Sequence, residues 1–478
     1  MEAGIGEVET YRAAWAAARE AAAAATRSWA EETGDALAAA IAAGARADTA
    51  AETFDPSFET VAGLLLAGRG ADDLGASPEH RLLRSTLRDF AARRIAPRAQ
   101  QIHRGDEDVP ADIIAGIAEL GLFGLSIPEA YGGALGPTPD HVAMLIGAEE
   151  MSAGSLAAGG SLMTRPEILV RALLSAGSEE QKGRWLPGIA SGDLLVAVAV
   201  TEPDQGSDVA ALQCRAARTA DGGWAIDGAK LWCTFAGRAQ LVMLLCRTGP
   251  EPGHRGLSVF VFEKPSYLGH DFEHRQEPGV LRGRAIPTLG YRGLHTFELV
   301  FEDYRLPEDA LLGPEGRGFY LQMEGFATGR LQTAARAVGV MQAAVRDTLA
   351  YTSQRKVFGK PVAEQELARQ MIGRMAVRLH ASRRLSYAAA RLVDAGGGQV
   401  EASLAKLYAS RMAEYVTRDA MQLFGGMGYG EETDVSRYFV DARVLAIFEG
   451  AEEVLALRVI GRALERSELV TNKEESNG

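Results

Sequence analysis

The sequence predicts an α+β fold, mainly α-helical, with a helical domain, a middle β-barrel or sandwich domain and a C-terminal four-helix bundle. Apolar residues at helical spacing dominate both ends of the chain. Between residues 196 and 312 the pattern changes to short β-type runs separated by Gly, Asp and Pro turns. An Ala-rich helical extension precedes these parts. The predicted boundaries are 1–77, 78–198, 199–312 and 313–478.

Composition excludes several classes of function. The chain has 478 residues and a formal net charge of -13, which repels nucleic acid and anionic membrane surfaces. Its three cysteines show no metal-ligand spacing, which predicts a reducing, cytoplasmic setting and no metal. The N-terminal residues are Ala-rich but interrupted by charges, so they predict neither a membrane span nor an Arg-rich transit peptide.

The predicted elements follow in order. Tyr11, Trp15, Ala22 and Trp29 recur at helical spacing, so one or two amphipathic helices are expected over residues 8–45. Helical patterns resume after a Gly-rich loop and continue to the β region. That region contains no strand-loop-helix crossover with GxGxxG, which excludes a Rossmann domain. Long patterned helices with short connections then predict the bundle.

The segment "YFVDARVLAIFEGAEEV" places Glu449 and Gly450 at the end of an apolar strip. If the strip is buried, lost hydration raises the pKa of the Glu449 carboxyl, and the group becomes a plausible base. The alternative is a helix N-terminus, where Glu449, Glu452 and Glu453 complement the helix dipole.

Two motifs of the β region suit a flat, polar ligand. In "VAVTEPDQGSDVAAL", Thr201 and the Gly206-Ser207 turn can offer a hydroxyl and backbone N–H groups, although an ordinary turn explains them as well. In "KLWCTFA", Trp232 and Thr234 alternate on a strand and should share a face. Cys233 should then face the other side as packing, and a core tryptophan is the alternative for Trp232.

Three further motifs carry cations or glycines at helix ends. "SQRKVFGKP" contains Arg355 and reads alone as cations at a helix C-terminus, and "QLFGGMGYGEE" reads alone as a helix ended by glycine. In "SLMTRPEILVRALL", Thr164 and Glu167 fit a capping box. Arg165 would then lie at the positive end of a helix, which favours an anion beside it.

These motifs, "VTEPDQGSDV", "KLWCTFA", "QRKVFGKPV" and "QLFGGMGYGEE…FVDARVLAIFEGAEEV", occur in the order found in the acyl-CoA dehydrogenase family, which the chain resembles over residues 78–470. "GRGFYLQMEGFATGRLQTAARAVGVMQAA", "GYRGLHTFE" and "SRYFVDARVL" are most similar to the family branch that acts on (2S)-methylsuccinyl-CoA. The resemblance implies the three-domain fold, FAD as cofactor and an acyl-CoA as substrate.

The resemblance also implies roles for residues that match the family motifs. Glu449 would be the catalytic base, because Gly329 stands where some relatives carry a glutamate, and Gly450 would leave room for the thioester. Arg330 would lie near the phosphates or pantetheine of CoA, Ser207 would touch FAD or acyl-CoA, and Arg165 would bind a substrate carboxylate. The implied FAD contacts are Val200, Thr201, Gly206, Ser207, Trp232, Thr234, Arg355, Phe358, Gln422, Gly425 and Gly426.

In the implied reaction Glu449 removes the α-proton while the β-hydride moves to flavin N5. The expected conversion is (2S)-methylsuccinyl-CoA to mesaconyl-CoA, with an electron-transferring flavoprotein as acceptor. Because the family arginine matching Arg355 reaches a neighbouring subunit's FAD, a homodimer or homotetramer is expected. Alternatives are an isobutyryl- or glutaryl-type substrate, or a DNA-associated member of the fold without turnover.

Overall fold

The computed structural model describes residues 6–48 and 54–466, so the predicted extension and bundle both reach beyond the described part. Helices dominate it. In chain order they are α1 Glu7–Thr33, α2 Ala36–Ala47, α3 Pro56–Leu66, α4 Pro78–Phe90, α5 Ala96–Gly105, α6 Ala111–Glu119, α7 His141–Gly154, α8 Leu162–Thr164, α9 Glu167–Ala176, α10 Glu179–Ser191, α11 Gly318–Glu324, α12 Phe326–Gln354, α13 Glu366–Asp394, α14 Gln399–Phe424, α15 Gly426–Tyr429, α16 Asp434–Val444 and α17 Glu452–Val454.

The strands lie between residues 196 and 312, apart from one short hairpin. They are β1 Val196–Ala199, β2 Arg215–Arg218, β3 Trp224–Thr234, β4 Leu241–Arg247, β5 Leu257–Glu263, β6 Asp271–Gln276, β7 Gly279–Ala285, β8 Thr296–Leu306, β9 Leu311–Leu312, β10 Lys356–Val357 and β11 Lys360–Pro361. The sequence therefore predicted the β region correctly, and the two helices expected over residues 8–45 are confirmed as α1 and α2. Helix α3 was not predicted.

Contacts divide the chain into two compact units. One takes in the described residues of 1–100, 140–156 and 330–478, and the other comprises 101–139 and 157–329. This grouping differs from the predicted extension and three domains, whose boundaries stay a prediction. No described helix combines the length and apolar composition that a membrane span requires.

The second unit is organised around a nine-stranded mixed sheet. Its strand order is β6-β7-β8-β3-β2-β4-β5-β9, and β1 pairs with β4 in parallel. Strands β4 and β5 pair antiparallel from Leu241↔Glu263 to Arg247↔Leu257. Both strands are nearly continuous runs of apolar residues, a pattern typical of buried strands. Their side chains are buried along almost the whole of each strand. They join Leu169, Leu173 and other residues of α9 in one core.

The first unit surrounds α13 and α14 with the N-terminal helices. Helix α1 ends at Gly34, whose φ of 60° suits glycine, and α2 starts at Asp35, whose side chain accepts from the Leu37 backbone N–H at 2.7 Å. Helix α1 packs against both α13 and α14, while α2 and α3 pack against α13. The extension is therefore part of the core of this unit.

Buried arginines of α13 contact the extension. Arg378 makes a bidentate contact with Asp48, at 2.8 and 2.9 Å, and Arg383 bonds Asp72 at 2.6 Å. The Arg384 guanidinium lies 4.0 Å from the centroid of the Trp29 ring. Because breaking one side of a buried ion pair is costly, the pair of Arg378 with Asp48 stabilises the extension on α13.

Candidate active site

Glu449 lies in the loop between α16 and α17. Its φ of 53° is left-handed, and Gly450 follows with a φ of 97°. The Glu452 backbone N–H donates to the Ala446 carbonyl at 3.1 Å and closes the loop. A left-handed glutamate costs energy and persists only where its surroundings hold it. The helix-dipole reading applies to Glu452 and Glu453, which lie in the first turn of α17, whereas Glu449 precedes the helix.

The Glu449 carboxylate is held by two side chains of α12. Thr333 donates its hydroxyl to one oxygen at 2.8 Å, and Arg336 donates to the other at 2.7 Å. Arg336 is fully buried, whereas the Glu449 side chain is 16% exposed. The sequence predicted the apolar strip before Glu449 but not these two polar partners. An adjacent guanidinium stabilises the ionised carboxylate, which is the form a base requires.

One buried cation of α14 contacts the loop, and a second cation, on α12, bonds a residue of α14. Lys406 donates to the Gly450 carbonyl at 2.6 Å, and burial lowers the pKa of its amine to about 7. Arg330 donates to the Ser403 hydroxyl at 3.1 Å, and burial lowers its pKa as well. The structure thus gathers the predicted Glu449, Gly450 and Arg330 around α12 and α14.

Sequence reasoning missed Thr333, Arg336 and Lys406. A signal was present, because Arg330, Thr333 and Arg336 recur every third residue in an otherwise Ala- and Val-rich helix. Buried polar residues at such spacing need a partner, but the pattern alone does not say which one.

In the second unit the segments "VTEPDQGSDV" and "KLWCTFA", both predicted to contact the flavin, lie side by side. The Leu231 backbone N–H donates to the Thr201 carbonyl at 2.8 Å, which brings the segment after β1 against β3. Lys230 is fully buried and bonds both the Val200 carbonyl, at 2.9 Å, and the Glu202 carboxylate, at 2.8 Å. Lys230 and Glu202 were not predicted, and their ion pair fixes the end of β1 from which Val200 and Thr201 project.

The strand alternation expected for "KLWCTFA" fails. The pairing of β3 with β8 shifts between Lys230 and Cys233, and Trp232 has a φ of 59°. Cys233 and Thr234 are both buried, whereas Trp232 is 55% exposed. A bulge adds one residue to β3 and breaks the two-residue alternation of the strand. Trp232 and Thr234 therefore cannot be placed on the same face from their spacing of two residues. Burial raises the pKa of the Cys233 thiol to about 12, which agrees with a packing role.

The segment that follows β1 forms an exposed turn. Glu202 and Gln205 exchange backbone hydrogen bonds at 2.9 and 3.3 Å, and Gly206 and Ser207 follow as exposed residues. A Cβ placed on Gly206 would meet no atom within 4 Å. The turn predicted from the sequence is present, and Ser207 is accessible to a ligand.

Arg355 and Phe358 lie on a small hairpin. Strands β10 and β11 are joined by Phe358 and Gly359, both at positive φ, as a tight primed turn requires. Phe358 is 98% exposed, and Arg355 is exposed beside it. The hairpin therefore leaves an aromatic ring and a neighbouring cation accessible to a ligand.

The glycines of "QLFGGMGYGEE" end α14. Gly425 has φ 61° and ψ -138°, a region that essentially only glycine adopts, and its backbone N–H donates to Gln422. A Cβ at Gly425 or Gly426 would meet open space. The helix-end reading is therefore correct, and the same backbone leaves room for a close ligand.

The capping box expected at Thr164 is absent. The Thr164 hydroxyl donates to the Gly160 carbonyl at 3.0 Å, and Glu167 instead bonds Ser126 and Arg171. Arg165 and Pro166 keep right-handed helical angles between α8 and α9, so Arg165 does not stand at an open helix N-terminus. Its partly buried guanidinium bonds the Ser161 carbonyl at 3.4 Å.

One cluster of potential metal ligands occurs among the described residues. The ligand atoms of Asp106, His270 and His295 lie within 4.8 Å of one another. The distance from His270 Nε2 to Asp106 Oδ2 is 3.1 Å, a hydrogen-bond length. That bond gives these two residues a partner without an ion, and the expected absence of a metal stays a prediction.

Three family models match the chain in succession. They describe the N-terminal, middle and C-terminal domains of acyl-CoA dehydrogenases and cover residues 77–193, 197–304 and 316–465. The chain belongs to the acyl-CoA dehydrogenase family. It is a flavin-dependent oxidoreductase acting on acyl-CoA, and its cofactor is FAD.

Individual relatives are similar over most of the chain. A (2S)-methylsuccinyl-CoA dehydrogenase of Cereibacter sphaeroides is 40% identical over 82% of this chain and 70% of its own. The butyryl-CoA dehydrogenase structure of Megasphaera elsdenii has a TM-score of 0.75 at 29% identity, covering 82% and 99% of the two chains. A glutaryl-CoA dehydrogenase of Mycobacterium smegmatis in complex with FADH2 has a TM-score of 0.71 at 27% identity, covering 81% and 95%.

Proposed function

We propose that the protein dehydrogenates a short, branched dicarboxylic acyl-CoA, with (2S)-methylsuccinyl-CoA converted to mesaconyl-CoA, and that Glu449 is the base. The proposal depends on one observation above all. Glu449 has a left-handed backbone conformation in its loop, and Arg336 and Thr333 hold its carboxylate. An ionised carboxylate fixed in one orientation suits proton abstraction, because proton transfer requires a base of correct charge and geometry.

Glu449 takes the α-proton of the thioester onto a carboxylate oxygen. Arg336 stabilises the carboxylate before transfer, and Thr333 orients it. When bound, FAD supplies the acceptor for the β-hydride. Two features of these residues fit FAD. Gly206, Gly425 and Gly426 leave open space beside their backbone, and the Trp232 side chain is exposed. The proposed FAD contacts are Val200, Thr201, Gly206, Ser207, Trp232, Thr234, Arg355, Phe358, Gln422, Gly425 and Gly426.

The substrate assignment has two supports. The methylsuccinyl-CoA dehydrogenase relative shares 40% identity with this chain. Arg165 offers a cation that can bind the free carboxylate of a dicarboxylic acyl group. Arg330 is proposed for the CoA moiety, and Gly329 and Gly450 for space near the acyl carbons.

A glutaryl-type substrate is the second candidate. It is supported by the likeness to a glutaryl-CoA dehydrogenase and by the same cation, Arg165. An isobutyryl-type substrate lacks the second carboxylate and would give Arg165 no anionic ligand.

Assembly and electron transfer are part of the proposal. The fully exposed Phe358 beside Arg355 supports a homodimer or homotetramer in which this hairpin contacts a neighbour's FAD. An electron-transferring flavoprotein, the usual acceptor in this family, would reoxidise the flavin. Three buried free thiols fit a reducing, cytoplasmic setting.

A titration of the flavin tests the substrate. The purified holoenzyme is titrated anaerobically with methylsuccinyl-, glutaryl-, isobutyryl- and butyryl-CoA while the flavin absorbance is recorded. Stoichiometric bleaching by (2S)-methylsuccinyl-CoA at the lowest concentration is expected. Preferential bleaching by glutaryl-CoA would select the second candidate, and preferential bleaching by a monocarboxylic acyl-CoA would contradict the dicarboxylic assignment.

A further inference from the structure

The N-terminal helix α1 contacts the segment that carries Glu449. The Tyr11 hydroxyl donates to Glu452, three residues beyond Glu449. Arg411 of α14 holds the same carboxylate, with its Nε donating to Glu452 Oε2 at 3.1 Å, and its guanidinium lies 5.4 Å from the centroid of the Trp15 ring. Glu452 is only 4% exposed. A carboxylate at the far end of the loop is therefore fixed from α1 and α14 together.

The loop of residues 446–452 has two further attachments. Its ends are joined by the hydrogen bond from Glu452 to Ala446, and its middle is held by Lys406 at the Gly450 carbonyl. The strained Glu449 lies between these points. Loss of one contact at Glu452 would weaken the attachment of one end of a loop whose geometry is not intrinsically preferred.

The packing of helix α1 fixes the position of Tyr11. Trp15 and Ala14 of α1 are buried, and α1 packs against α14 and the helical turn of residues 455–460. A Cβ on Gly461 would come within 2.3 Å of Thr10 Cγ2, so the two segments are in close contact. Burial and the bond to Glu452 raise the pKa of the Tyr11 phenol, so it remains a hydrogen-bond donor at neutral pH.

We propose that Tyr11 is a positioning residue for Glu449, acting through Glu452 and the loop, so that the N-terminal extension belongs to the catalytic apparatus. This inference rests on the proposed role of Glu449 as base. Tyr11 makes no contribution to the chemistry itself. It keeps the loop in the conformation that presents the carboxylate.

The test is single-turnover flavin reduction by (2S)-methylsuccinyl-CoA under anaerobic conditions. Tyr11→Phe keeps the packed ring and removes only the hydroxyl. Loss of one hydrogen bond to a buried charge shifts a conformational equilibrium by about tenfold or more, so the rate constant of flavin reduction should fall about tenfold. Loss of folded protein would lower the amplitude and leave the rate constant unchanged.

Tyr131→Phe is the matched control. Its hydroxyl also bonds a glutamate, Glu179, at 3.0 Å, on the other compact unit. A Tyr11→Phe rate constant equal to that of Tyr131→Phe would overturn the inference. Tyr11→Phe should add nothing to a Glu452→Gln background, and a full additional loss there would show that Tyr11 does not act through Glu452.

Glu449→Gln separates the two proposals. If this variant reduces its flavin at the wild-type rate, the proposed function fails. If it is inactive while Tyr11→Phe matches its control, only the positioning inference fails.

Discussion

At the scale of single residues, Glu449 combines an unfavourable backbone with strong side-chain contacts. A non-glycine residue at positive φ costs about 1 to 3 kcal/mol. A hydrogen bond to a charged group returns about 1.5 to 3 kcal/mol, and Glu449 has one from Thr333 and one from Arg336. These contacts are sufficient to hold the strained residue, and none of them is visible in the local sequence.

Arg165 is the residue proposed to bind the substrate's free carboxylate. Arg165→Ala should lower kcat/KM for (2S)-methylsuccinyl-CoA by about 10- to 100-fold, because a charge-assisted hydrogen bond is worth about 1.5 to 3 kcal/mol. Activity with butyryl-CoA, if measurable, should not fall. Steady-state kinetics on both substrates give the comparison.

Arg171→Ala controls for loss of a neighbouring cation. Arg171 lies on α9, and its guanidinium pairs with Glu167 at 2.8 Å. The Arg165 assignment would be lost if both variants changed the two substrates equally.

At the scale of elements, α3 lies directly on α13. A Cβ built on Gly373 of α13 would come within 1.8 Å of the Phe58 carbonyl oxygen. Alanine favours helices by about 1 kcal/mol over glycine, but a backbone contact this short requires the helices to move apart. Gly373→Ala should therefore lower the thermal unfolding midpoint, with a net cost of about 1 to 3 kcal/mol.

Gly183→Ala is the matched substitution on α10, where a Cβ would meet no atom within 4 Å. It should leave the midpoint unchanged or raise it, because only helix propensity changes. Equal midpoints for the two variants, measured by calorimetry or fluorescence, would show that α3 does not pack on α13 at this distance.

Elements also show where sequence patterns stop being informative. The first two helices of the extension, α1 and α2, and the β region were predicted from apolar spacing, which reports burial of one face. Trp232 was misplaced, because a bulge in β3 depends on its pairing with β8. The capping box at Thr164 failed because the helical angles continue through Arg165 and Pro166, which the motif cannot reveal.

At the scale of the whole molecule, the motif order identified the family and pointed to Glu449. The partners that hold Glu449 come from α12, and those that hold its loop come from α14 and α1, far away in the sequence. Such pairings depend on the tertiary fold, so neither propensity nor spacing could supply them. The bonds of the extension to α13 and to Glu452 also join residues far apart in the sequence, so the sequence alone could not predict them.

The central claim, that this flavoenzyme removes an α-proton with Glu449, is tested most directly by anaerobic flavin reduction in Glu449→Gln. The variant should retain FAD and bind (2S)-methylsuccinyl-CoA, because the amide keeps the size of the side chain. Its rate constant for flavin bleaching should fall by about 10² to 10⁴-fold, the contribution of a general base. Bleaching at the wild-type rate would contradict the account.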